Sequence, residues 1–297
     1  MTSLTFRAFM EEHKTLVEEE LVTQVERLAA PSILKESMKY SLQAGGKRIR
    51  PLLLFAVLYA FNKKPEIGLQ AASSIEMIHT YSLIHDDLPA MDNDDMRRGK
   101  PTNHIVFGED MAILAGDALL TLAFQQLTRM TDKDISAEQK LAVISEISKC
   151  AGAEGMVGGQ TADMEAEGKD ITLEELEYIH EHKTGKLLTC SILAGAILAG
   201  ASEIEKDILA TFSRHLGLAF QIRDDILDIE GVEEEIGKPI GSDEENNKST
   251  YPALLTLQGA KEKLAEEIHL AEAALRSLQV RDEHLMNIVR LVATRTN

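Results

Sequence analysis

The chain has no tryptophan, two cysteines, seven prolines and few cations for its 297 residues. Cys150 and Cys190 are too few and too isolated for a disulfide framework or a cysteine-based zinc site, so both are expected as free core thiols. No proline falls between Pro101 and Pro239. A stretch of that length dominated by Ala, Leu, Glu, Ile and Met favours helices over strands. Aromatic residues make up only 4%, so helix packing must rest on aliphatic side chains and methionine. Lys and Arg number 31 against 49 Asp and Glu, a formal net charge of -18. That balance excludes a general nucleic-acid binder, and any anionic substrate has to be held by a local basic cluster. The opening residues MTSLTFRAFMEEHK lack a basic run followed by an apolar one, which gives the expectation of a cytoplasmic protein. Residues 187–202, the most apolar stretch, fall short of the roughly 20 residues a membrane span needs and are expected as a buried helix.

What is present is a sizeable core, with 44% hydrophobic residues, and no Ser/Gly-rich or Pro-rich linker. The expectation is one domain over 1–297, an all-α helical bundle. Thr172, with Glu175 three residues on, is expected to open a helix through a capping box. Breaks are expected at 44–46, 62–65, 89–101, 158–159 and 231–252.

Two acidic motifs stand out. Asp86-Asp87-Leu88-Pro89-Ala90-Met91-Asp92 follows an apolar helical run over 75–84. His79 and Asp86, seven apart, lie within about 20° on one helix face, while Pro89 stops the helix and lets the chain turn Asp92 back toward Asp86. The second motif, Asp224-Asp225-Ile226-Leu227-Asp228, sets Asp224 and Asp228 about 40° apart with Gln221 one turn earlier, an acidic stripe that includes Asp225. Stacked carboxylates repel one another and oxygen-only donors point to Mg²⁺. Either motif alone also reads as a solvated acidic helix end; two in one chain, each behind an apolar run, weigh against that. Cations cluster beside them: Gly45-Gly46-Lys47-Arg48-Ile49-Arg50-Pro51, Arg97-Arg98-Gly99-Lys100, Lys183-Thr184-Gly185, Lys238 and Lys248. In so acidic a chain this placement suggests an anion site next to a metal site, and arginine forks with Mg²⁺ are a common way to hold diphosphates.

From GGKRIRP through EMIHTYSLIHDDLPAMDNDDMRRGKPTNH, FGEDMAILAGDALL, GMVGGQTADMEAEG and YIHEHKTG to FQIRDDILD and GKPIGSDEENNKSTYP, nearly the whole chain resembles the trans-prenyltransferases (polyprenyl diphosphate synthases), and within them the bacterial farnesyl diphosphate synthases. The resemblance implies an isoprenoid-synthase-type helical bundle around a deep central cavity and a cluster of three Mg²⁺ ions held by Asp86, Asp92 and Asp224, with Asp228 in support. It implies that Arg97, Lys183, Thr184, Gln221, Lys238 and Lys248 contact the allylic diphosphate, and that Gly46, Lys47, Arg50, His79 and Arg98 contact isopentenyl diphosphate. Asp86, Asp92, Arg97, Lys183, Asp224 and Lys238 are thereby the expected catalytic set, with dimethylallyl or geranyl diphosphate as the allylic partner. Tyr81, about 7.5 Å down the helix from Asp86, and Ser82 are the expected chain-length positions. A homodimer is implied by the resemblance only. Gln160 and Asp163 match the family as supports, since nothing in their spacing demands a metal. Ser242-Asp243 departs from the family, which often has lysine or alanine before that aspartate, and lowers the cation count of a loop expected to close over bound diphosphates. A geranyl or geranylgeranyl product is the nearest alternative. A class I terpene cyclase would need no GGKRIRP segment, and a silent regulatory subunit would be expected to lose its aspartates.

Overall fold

The computed structural model describes residues 5–130, 133, 135–231 and 249–295. They sort into two compact units, one from the described residues of Met1–Phe55 and Lys64–Ile144, the other from those of Ala56–Lys63 and Ser145–Asn297. Among the described residues, strand structure is confined to a two-residue hairpin, Met96–Arg97 with Lys100–Pro101.

The first unit is built on α1 (Phe6–Glu26), α2 (Ser32–Leu42), the start of α3 (Ile49–Ala60), α4 (Leu69–Asp86), α5 (Asn103–Phe107), α6 (Glu109–Thr128) and the start of α7 (Ala137–Ala151). Helix α4 is central, packed against α1, α2 and α6. Its buried residues run continuously from Ala71 to Ile78, so it is enclosed on all sides rather than along one stripe. On α6, a Cβ at Gly116 would lie 2.1 Å from Nε2 of His85, so glycine there leaves room for the His85 ring of α4. By length and composition α6 is also apolar enough to cross a membrane. In this unit it buries Ala112, Ala115, Leu119, Leu122 and Leu127, as the core helix of a globular protein does.

The second unit holds α8 (Met156–Ala166), α9 (Leu173–His180), a π-helical segment Glu181–Gly185, α10 (Lys186–Ala199), α11 (Glu203–Glu230), α12 (Tyr251–Ser277) and α13 (Glu283–Thr294). Helix α11 is its axis, flanked by α10, α12, α13 and the π segment. Thr172 and Glu175 form the expected capping box at the start of α9. The apolar run 187–202 becomes buried α10, ended by Gly200 at φ +74°, after which Ser202 and Glu205 cap α11 reciprocally. Both cysteines are buried free thiols.

One expected break is not a break: Gly158 and Gly159 lie inside α8. Nor does Lys183-Thr184-Gly185 interrupt the chain, since it continues the helix from α9 into α10. The reason is close packing: a Cβ on Gly159 would sit 2.1 Å from the Lys183 nitrogen, and one on Gly217 of α11 would sit 3.2 Å from Gly185 Cα. These glycines admit the π segment between α8 and α11 rather than turning the chain.

Candidate active site

In the first unit, α4 ends at Asp86 and the chain folds back within six residues. The Asp92 N–H donates to the Asp86 carbonyl at 2.8 Å, and that of Asn93, at φ +54°, donates to Leu88 O at 3.1 Å. Pro89 has no N–H to extend the helix, so the two expected carboxylates leave neighbouring points of the backbone. Asp87, quoted in the motif but given no role by sequence, is buried and accepts from Arg97 Nε at 2.6 Å. Burial pushes its carboxyl up to about 6, against the opposing pull of Arg97. Asp87 therefore steers Arg97.

Arg97 ends the first strand of the hairpin whose turn, Arg98 at φ +53° and Gly99 at φ +73°, aims Arg98 at the glycine loop after α2. The Arg98 guanidinium donates to the Gly45 carbonyl and lies against Gly46, where a Cβ would be 2.7 Å from its Nη1. Tyr40 of α2 donates to Pro101 O at 2.7 Å and ties the hairpin down. Half-buried His79 of α4 sits within the fields of Arg50, Arg98, Arg48 and Arg97; burial first, then these cations, drive its imidazolium well below the usual histidine range. It is a neutral imidazole at pH 7. Gly46, Arg50, His79 and Arg98 are thus brought into one basic neighbourhood, with Lys47 exposed on the same loop. Tyr81 is buried with its ring edge-on to His85 at 5.7 Å, and Ser82 donates to His79 O at 2.9 Å.

In the second unit, the Thr184 hydroxyl donates to Gln221 Oε1 at 3.2 Å and the Gln221 amide donates to Asp224 Oδ2 at 3.3 Å. Lys183, on the same π segment, donates to Asp163 at 2.6 Å, which gives Asp163 the supporting place expected of it. Thr184, Gln221 and Asp224 are thus joined in series, while the Lys183 ammonium turns to Asp163 of α8. Asp224 also meets Arg295 at 2.7 Å, and Arg295 lies over the Phe220 ring at 3.8 Å and donates to Phe220 O.

The expected acidic stripe divides. Asp225 is buried, accepts the Tyr251 N–H at 2.9 Å and lies 3.6 Å from His180 Nε2. One residue on from Asp224, it is turned by about 100°, so it anchors the start of α12 to α11 instead of joining Asp224. Asp228 is buried. Among the described residues no group of three or more His, Cys, Asp and Glu side chains converges as a metal site. Lys238, Lys248 and Ser242-Asp243, with the rest of the expected closing loop from 232 to 248, lie outside the described residues.

Sequence reasoning missed Asp87, Arg295 and a buried pair, Arg48 with Glu76. Glu76, an acid inside the apolar run 75–84, was the available signal for the last.

Residues 31–285 match the family model described as polyprenyl synthetase. The chain is 60% identical over 295 residues to the farnesyl diphosphate synthase of Geobacillus stearothermophilus, covering 99% of both chains. It is 54% identical over 288 residues to the farnesyl diphosphate synthase of Bacillus subtilis (strain 168), covering 97% of each. Its structure is similar to the crystal structure of the geranylgeranyl pyrophosphate synthetase from Pyrococcus horikoshii Ot3, with a TM-score of 0.87, 31% identity and 98% of each chain covered. With its motifs in order, its helices matching throughout and its sequence shared at this level, the chain belongs to the polyprenyl synthetase family of prenyltransferases and has that family's all-α fold.

Proposed function

We propose that the chain is a magnesium-dependent farnesyl diphosphate synthase, one domain over 1–297, that joins isopentenyl diphosphate head to tail to dimethylallyl and then geranyl diphosphate. What supports this reading is that Gly46, Arg50, His79 and Arg98 of the expected isopentenyl diphosphate set share one basic neighbourhood in the first unit, and that Thr184 and Gln221 of the expected allylic set are hydrogen-bonded in series to Asp224 in the second.

The donor chemistry fits Mg²⁺. Asp86, Asp92 and Asp224, with Asp228 in support, offer only hard carboxylate oxygens, and Asp224 already pairs with a cation, the Arg295 guanidinium at 2.7 Å. These residues would hold three ions, which when bound neutralise charge on the diphosphate leaving group. Arg97, steered by Asp87, holds the allylic diphosphate with Lys183, Thr184, Gln221, Lys238 and Lys248. These cationic and amide groups stabilise the charge that builds as the allylic C–O bond ionises. Neutral His79 donates one ring N–H to the isopentenyl diphosphate beside Lys47, Arg50 and Arg98. The isopentenyl double bond attacks the allylic cation, and proton loss to the released diphosphate restores an allylic product. No protein nucleophile takes part.

We place the enzyme in the cytoplasm as a homodimer without a membrane span. Exposed Ile105, Val106, Ile113 and Leu114 on α5 and α6 support a face that a second copy covers. A geranylgeranyl product is the second reading, favoured by the likeness to the Pyrococcus horikoshii protein. Incubation with Mg²⁺, isopentenyl diphosphate and dimethylallyl diphosphate, followed by mass spectrometry, separates the two. A fifteen-carbon diphosphate abolished by chelator is expected, twenty carbons would move the assignment, and no condensation would remove it.

A further inference from the structure

Arg48 is the one arginine of the GGKRIRP segment for which the reaction has no use, and it is almost wholly withdrawn from solvent, its side chain 1% exposed. It follows two positive-φ glycines, Gly45 at +92° and Gly46 at +123°, and is itself at φ +53°, a conformation that costs a side-chain-bearing residue free energy. Its guanidinium spends its donors on three separate elements. Nη1 reaches Glu76 of α4 at 2.7 Å, Nη2 reaches the carbonyl of Leu42, the last residue of α2, at 2.5 Å, and Nε reaches Glu18 of α1 at 3.2 Å. Glu76 is buried as well, its side chain 3% exposed.

A buried ion pair returns in Coulomb energy little more than it loses in desolvation, so net stability is a poor account of why this one exists. Its geometric effect is definite. A planar fork bonded to three elements fixes both the distance and the rotation of the loop that carries it. Glu76 lies one helical turn before His79, and Gly46, Lys47 and Arg50 flank Arg48, so one ion pair spans the two walls of the basic neighbourhood.

We propose that Arg48, through Glu76, is a positioning residue for isopentenyl diphosphate. It holds the loop bearing Gly46, Lys47 and Arg50 at a set separation from His79 without touching the substrate. This rests on the assignment of that cluster to isopentenyl diphosphate. The test is calorimetric binding of isopentenyl diphosphate to the full-length protein, together with KM for each substrate and thermal unfolding. The variants are Arg48→Met, Arg48→Lys and the double Arg48→Met/Glu76→Met, whose apolar pair keeps the core filled if the single variant does not fold.

The expected result is a Kd and KM for isopentenyl diphosphate raised about tenfold or more in Arg48→Met and in the double variant, with the allylic KM moved less than about twofold. Arg48→Lys, which keeps the charge but loses the fork, should fall between. A lowered unfolding midpoint with unchanged isopentenyl diphosphate affinity would reduce Arg48 to a structural part and overturn the proposal, as would an equal rise in both KM values. Wild-type protein that binds isopentenyl diphosphate but does not condense it would sink the proposed function while leaving the affinities to decide the role of Arg48. Wild-type protein that does not bind it at all would overturn both.

Discussion

The Asp92 N–H donates to the carbonyl of Asp86 at 2.8 Å, closing the turn that follows α4. The pairing is set by backbone, so it survives removal of either side chain. Asp86→Ala should therefore lower turnover about a thousandfold or more while leaving the unfolding midpoint equal or higher, because one of several crowded carboxylates is gone. Asp224→Ala should do the same to turnover but lose the Arg295 pair. Full activity in either variant would remove that residue from the metal set.

Arg295 pairs with Asp224 at 2.7 Å. Arg295→Ala forfeits its ring contact with Phe220 and its bond to Phe220 O, and should cost about 1–2 kcal/mol. With the internal cation gone, Mg²⁺ should raise the unfolding midpoint further in the variant than in the parent, since less is displaced on binding. An equal Mg²⁺-dependent shift in both would show that the guanidinium and the metal do not compete.

His79 titrates well below its unfolded value because burial and four arginines oppose its charge. Above about pH 6.5 both states are neutral and nothing is lost. As pH falls through that value the unfolded chain takes up a proton that the folded chain refuses, so stability declines on the acid side until the native group titrates in turn. His79→Gln should remove this part of the decline. Chemical denaturation at pH 7.5 and 5.5 measures it, and parallel pH dependence in parent and variant would contradict it. His13, also lowered by burial, remains in both proteins and cancels.

Gly159→Ala places a methyl group 2.1 Å from the Lys183 nitrogen and 2.6 Å from the His182 carbonyl carbon, both backbone atoms that cannot swing aside. The expected loss is about 1–3 kcal/mol, with a rise in the allylic KM because Lys183 and Thr184 are displaced together. Unchanged stability would mean that the π segment tolerates a shift.

Tyr81 is buried below the first motif, edge-on to His85. Tyr81→Ala should lengthen the product beyond fifteen carbons, read by mass spectrometry. An unaltered product would leave the ring a packing residue only.

The elements read most readily from sequence are those whose determinants are local. Thr172 with Glu175 and Pro89 after an apolar run act within about one helical turn, the apolar run that becomes α10 is contiguous, and each is found as expected. Gly158 and Gly159 misled because glycine serves equally to turn a chain and to admit a neighbour, and sequence does not show the neighbour. Asp225 misled because it is adjacent to Asp224 in the acidic run, whereas it is turned by about 100° on the helix and the Tyr251 N–H that claims it lies 26 residues away. Arg48 with Glu76, 28 residues apart, and Arg223 with the Arg295 carbonyl, 72 apart, are non-local pairs that no spacing rule reveals.

The stretch of wider helix at Glu181–Gly185 holds about one more residue than ordinary pitch would need to sweep the same angle. Were one residue deleted there, the wider coil would tighten to the ordinary pitch and α10 would keep nearly the same phase, with Leu187 and Leu188 still facing inward. What would go is the bulge itself, so the surplus amino acid serves the presentation of Lys183 and Thr184 rather than the greasy interior beyond it.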